Sequence, residues 1–114
     1  MSHTAVLLMA LGGPDSVENV APYLFDVRGG RATPPELIAE IRARYRATGG
    51  KSPVLEIMRV AVSRLEQTLN ASGGERYRVF LGMRHWHPYI KDVYAELMKE
   101  RPDRLICIGM APQY

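Results

Sequence analysis

The densest chemistry in this chain is Arg84-His85-Trp86-His87, a cation, two imidazoles and an indole in four consecutive residues. Imidazole carries protons near neutral pH and ligates iron or zinc. The indole offers a flat face to a flat ligand. A plainer reading has His87 capping the following helix, Trp86 in the core and His85 simply exposed. In an extended segment His85 and His87 would point the same way, but two histidines alone make a poor metal site.

A second cluster is cationic. Between Arg28 and Lys51 stand Arg28, Arg31, Arg42, Arg44, Arg46 and Lys51 against Glu36 and Glu40. Guanidinium forks pair with carboxylates, so the stretch reads either as a clamp on a polycarboxylate or as a solvated helix face. Ser52 is a helix cap by default, with a hydroxyl open to a ligand if the cap geometry allows. Gly12-Gly13-Pro14 follows an apolar run but lacks both the dinucleotide-binding glycine spacing and the P-loop lysine. It is better read as a turn where backbone approaches a ligand closely.

These segments need a frame. Ala5 to Ala10 is continuously apolar, as a strand buried on both faces requires. Asp15 and Glu18 have capping-box spacing for a helix that Pro22 should end or bend. Thr33-Pro34-Pro35-Glu36 predicts another helix, with Thr33 as cap and Leu37, Ile38, Ile41 and Tyr45 on one face. Gly49-Gly50 stops it. Ser52-Pro53 starts the next, whose stripe is Leu55, Met58, Val62, Leu65 and Leu69. Arg76 to Gly82 reads as a strand. Pro88 opens a helix with Ile90, Val93, Tyr94 and Leu97 inward, and Leu105 to Met110 is a third strand.

Helical crossovers between apolar strands predict an α/β fold, a Rossmann-like parallel sheet with flanking helices. In such a sheet ligands bind beyond the carboxyl ends of the strands. The segments 11–14, 83–87 and 111–114 should meet at that edge.

Composition sets outer bounds. Of the 114 residues, 46% are hydrophobic and 24% charged, too apolar for a disordered chain. Residues 1–57 carry six Lys/Arg and six Asp/Glu, and residues 58–114 carry nine and six, so the net +3 lies in the second half. That excess is too small to argue nucleic-acid binding. The single cysteine, Cys107, builds no disulfide framework and is expected to be a buried small hydrophobe in a reducing compartment. No signal peptide or membrane span is read, so a cytoplasmic protein is expected.

Four segments, 7–14 (LLMALGGP), 41–53 (IRARYRATGGKSP), 82–88 (GMRHWHP) and 111–114 (APQY), resemble ferrochelatases in order and spacing. The Gly-Gly-x-Ser-Pro element after Arg44-Tyr45 is the most telling. The resemblance implies two Rossmann-like lobes with a porphyrin between them, this chain forming part of the first. It implies ferrous iron as substrate, with no resident cofactor in this part, and protoporphyrin IX or coproporphyrin III as acceptor.

By motif, Leu11, Arg28, Arg44, Tyr45 and Ser52 match positions lining the porphyrin and its propionates. Leu11 stands where some relatives place an iron-coordinating tyrosine, and leucine cannot coordinate. Gly29 stands where some relatives have a second arginine. His85 matches a pocket-edge histidine of some relatives and is an auxiliary candidate. No metal ligand is assigned. The family's principal catalytic histidine and its glutamate partner belong to a second half, so residues 1–114 are expected to be the truncated amino-terminal part of the domain and inactive alone. Two other readings stand beside this one: a non-catalytic porphyrin- or heme-binding module, and another tetrapyrrole metal chelatase.

Overall fold

A computed structural model describes residues 2–110, so the 111–114 segment lies outside the described residues. The apolar run at the start becomes strand β1 (Thr4–Ala10). Helices α1 (Val20–Val27), α2 (Pro35–Ala47) and α3 (Val54–Asn70) lead to β2 (Tyr77–Met83), and α4 (Ile90–Lys99) leads to β3 (Arg104–Gly109). The sheet order is β2-β1-β3, and both pairings are parallel. The α/β reading of the sequence holds.

β1 is central, which is why its residues are apolar on both faces. Val6, Leu8 and Ala10 pack with Val79, Leu81 and Met83 under Met58 of α3. Leu55, Val62, Leu65 and Leu69 pack against the same cluster, so the helical stripe read from α3 is its buried face. On the other side Ala5 and Leu7 meet Leu97 of α4, flanked by Phe80, Ile90, Val93 and Leu105. Each fully buried side chain of this kind contributes about 1.5–3 kcal/mol.

Several boundaries differ from expectation. Residues 15–19 form bends and turns rather than helix, and α1 begins at Val20. Pro22 therefore lies in the first turn, where backbone N–H groups lack intrahelical acceptors and a missing one costs little. Asp15 and Glu18 form no capping box. α2 caps at Pro34 with Pro35 at its first position, one residue later than read, and makes no side-chain cap bond. Thr33 is buried with an unpartnered hydroxyl. α3 likewise caps at Pro53, one residue after Ser52.

Burial also departs in places. α2 buries no residue, and Leu37 stays exposed because this helix packs chiefly on α1. Tyr94 is 47% exposed, whereas Leu97 is fully buried. Cys107 is exposed, not a core residue, because β3 is an edge strand with little packed over it among the described residues.

The free edge of β2 is closed by side chains of α3. Asn70 donates to the Tyr77 carbonyl at 2.9 Å and accepts from its N–H at 2.8 Å, as a neighbouring strand would. The Glu66 carboxylate accepts from the Val79 N–H at 2.8 Å. Unpaired edge groups invite pairing with other chains, and these bonds blunt that. Asn70→Ala strands both Tyr77 groups and is expected to cost about 1–3 kcal/mol in urea unfolding. A loss within noise would mean that water replaces the amide.

Candidate functional site

The site is built at the carboxyl ends of β1 and β2. The two segments leave their strands together: the Arg84 N–H donates to the Ala10 carbonyl at 2.9 Å, and the His85 N–H to the Leu11 carbonyl at 3.0 Å. Gly12 turns the chain with φ +93°, a backbone region that favours glycine. The next residue is limited by space. A Cβ on Gly13 would lie 2.5 Å from Ser52 Oγ and 2.6 Å from its Cβ. The Ser52 N–H also donates to the Pro14 carbonyl at 2.8 Å, so the glycine turn and the start of α3 are locked. Gly13→Ala is expected to cost about 1–3 kcal/mol by overpacking, measured by thermal unfolding. Full recovery in the Gly13→Ala/Ser52→Gly pair confirms the steric cause, and no recovery refutes it.

α1 bridges these turns. Tyr23 donates to the Gly12 carbonyl at 3.3 Å and meets Trp86 edge-on, centroids 6.5 Å apart. Burial pushes the Tyr23 phenol above its ordinary pKa, and Tyr45 and Asp26 add to the shift. Asp26 accepts from His85 Nδ1 at 2.8 Å and from the Tyr89 hydroxyl at 3.1 Å. Partial burial and then Asp26 raise the Tyr89 phenol, so it stays protonated and donates.

Trp86 is buried in the loop, and its Nε1 donates to Asp15 Oδ1 at 2.9 Å. His87 packs edge-on between Trp86 and Tyr89, at 5.2 and 4.7 Å. His87 caps no helix, and His85 is tied to Asp26 rather than simply exposed.

The Asn19 amide, at 2.7 Å, and then the Trp86 indole hold the Asp15 carboxyl below its ordinary pKa. A carboxylate with a depressed folded pKa adds stability fully above its unfolded value, near about 4, and loses it as pH falls through the folded value. Asp15→Asn is therefore expected to flatten the acid-side loss of stability below about pH 4. Parallel stability–pH curves for variant and parent would contradict this.

Not all expected site residues share one hollow. Leu11, 48% exposed, stands at the β1 turn beside His85, and Ser52 underlies Gly13. Arg44 and Tyr45 line a different hollow, about 420 Å³, with Leu24, Ile41 and Thr48. Arg44 is largely exposed and pairs with Glu40 at 2.7 Å. Arg28 ends α1 and donates to the Ala32 carbonyl at 2.7 Å. Asp26, Met83, Arg84, Tyr89, Ile90 and Lys91 line a second hollow, about 490 Å³. Leu24 and Asp26 lie about 200° apart around the helix, so α1 stands between the two hollows.

Sequence reasoning missed Tyr23, Asp26, Asp15 and Tyr89. Each acts through a partner distant in sequence, which leaves no local signature. Among the described residues, no group of three or more His, Cys, Asp or Glu gathers to hold a metal, and no helix is long and apolar enough to cross a membrane.

The ferrochelatase family model matches residues 3–114. A ferrochelatase of Herpetosiphon aurantiacus is 39% identical over 97% of this chain and 36% of its own length. One from Deinococcus radiodurans is 41% identical, over 96% and 34%. A coproporphyrin III ferrochelatase of Oceanobacillus iheyensis is 34% identical, over 96% and 35%. The chain thus spans about a third of the length of these curated relatives. A family match running through the strand-end turns, α1 and the helices around them makes this chain a member of the ferrochelatase family.

Proposed function

We propose that this chain supplies one wall of a porphyrin site in a protein that inserts ferrous iron into protoporphyrin IX or coproporphyrin III. The reading is carried by the family match over residues 3–114, which includes the turns at the ends of β1 and β2. A flat macrocycle would lie against Leu11 and the α1 side of the wall. Arg28, Arg44, Tyr45 and Ser52 would hold its propionates through charge-assisted bonds, each worth about 1.5–3 kcal/mol. Arg44 would exchange its exposed pairing with Glu40 for the ligand, a small sacrifice because exposed pairs are weak.

Metalation needs the ring bent so that nitrogen lone pairs face the incoming ion, and it needs two pyrrole protons removed. Binding energy spent on distortion lowers that barrier. His85 is an auxiliary proton acceptor at the rim. We place the protein in the cytoplasm, where its lone thiol stays reduced.

The test is a titration of the chain with each porphyrin, followed by ferrous iron under anaerobic conditions, with absorption spectra throughout. A saturable Soret shift is expected, weakened at least about tenfold in Arg28→Ala/Arg44→Ala. A folded chain with an unmoved Soret band overturns the reading. Binding without metalation makes this chain a porphyrin-binding wall rather than a complete chelatase.

A further inference from the structure

The geometry points to Asp26 as the positioning residue that sets the protonation of His85, and so turns His85 Nε2 into the acceptor for one pyrrole proton. This inference rests on the porphyrin reading above.

The Asp26 carboxylate is held at both ends. Oδ1 lies 2.8 Å from His85 Nδ1, and Oδ2 accepts from the Tyr89 hydroxyl at 3.1 Å. The three residues come from α1, the β2 loop and the residue before α4, 59 and 63 positions apart. An ionised carboxylate only accepts, so the proton in the Asp26–His85 bond belongs to Nδ1. A neutral imidazole protonated at Nδ1 has its lone pair on Nε2.

That atom has no hydrogen-bond partner among the described residues. The His85 side chain as a whole is 18% exposed, so the ring is partly open to the surface. The arrangement is a lone pair on Nε2 of a ring fixed through Nδ1.

The step balances simply. A pyrrole N–H bond breaks and an Nε2–H bond forms. The electron pair stays on the pyrrole nitrogen, where the metal will bind. The resulting imidazolium faces the Asp26 carboxylate at hydrogen-bond distance, which stabilises the charge. Tyr89 keeps the carboxylate from swinging away. Arg84 and Lys91 line the neighbouring hollow with Asp26 and Tyr89.

Long-range proton–nitrogen correlation spectra of the ¹⁵N-labelled chain report which ring nitrogen carries the proton. His85 is expected as the Nδ1–H form, and Tyr89→Phe should keep it. Asp26→Asn should move it toward Nε2–H, because the amide can donate to Nδ1. An Nε2–H form in the parent chain overturns the inference. Coproporphyrin III should then perturb Nε2 more than Nδ1. If it binds, by its Soret shift, yet leaves the His85 nitrogens unmoved, the acceptor role is wrong. If it does not bind, the porphyrin reading and the acceptor role both fail, while the Asp26–His85 tautomer stands or falls on its own spectrum.

Discussion

Leu97→Ala is expected to lose about 2–5 kcal/mol of stability. Leu97 is fully buried and sits on α4 against Ala5 and Leu7 of β1. Its neighbours cannot easily collapse into the space. β1 is held by parallel ladders to β2 and β3 on both sides, so its backbone cannot shift toward the helix without breaking them. α4 is also the one helix on this face among the described residues. A domain's whole stability is about 5–15 kcal/mol, so this one truncation removes a large share. Urea denaturation measures it, with the midpoint falling and the slope unchanged. Leu97→Met, which conserves volume, should cost less than about 1.5 kcal/mol. Equal costs for the two variants would show that the pocket is not tightly packed.

Trp86→Ala comes next, at about 3–5 kcal/mol. The indole is 9% exposed and fastens three segments: the 83–88 loop that carries it, α1 through Tyr23, and the bend before α1 through Asp15. Trp86→Phe separates the contributions. It keeps most of the packing and drops the bond to Asp15, so it should cost about 1–3 kcal/mol. Trp86 is also the chain's single tryptophan, so its fluorescence reports directly on this loop. Coproporphyrin III bound against the wall should quench it, and the alanine variant should bind more weakly because the loop that carries His85 loses its ties to Tyr23 and Asp15. Phe and Ala variants of equal stability would mean that the hydrogen bond, not the packing, holds the loop.

The two variants act at different levels. Leu97 lies under the sheet, away from the strand ends, so its loss should lower the folded population while leaving porphyrin affinity of folded molecules unchanged. Trp86 stands inside the site, so both quantities should fall. Measuring affinity and stability together tells the effects apart.

Sequence alone determined the order of strands and helices and the position of most of them, α1 excepted. The apolar run 5–10 fits a doubly buried strand, and the stripe Leu55, Met58, Val62, Leu65 and Leu69 fits one helix face. These patterns are local, repeating within a few residues, and they survive in the folded molecule. The glycine stop after α2 is equally local, with Gly49 and Gly50 both at positive φ. The family resemblance also rested on short runs of residues, and it named the residues proposed for the porphyrin.

Tertiary structure decided where the caps fall and which side chains meet. Pro22 sits harmlessly in a first turn because α1 starts late, which depends on how residues 14–19 bend against Ser52 and Trp86. Cys107 is exposed because β3 lies at the edge of the sheet, a matter of strand order rather than of its apolar neighbours. Asp26 finds His85 across 59 residues, and Asp15 finds Trp86 across 71. Hydrophobic periodicity says which face of an element is buried, but not which polar groups will sit opposite one another. That choice is made only when parallel strands bring their carboxyl ends to one edge of the sheet.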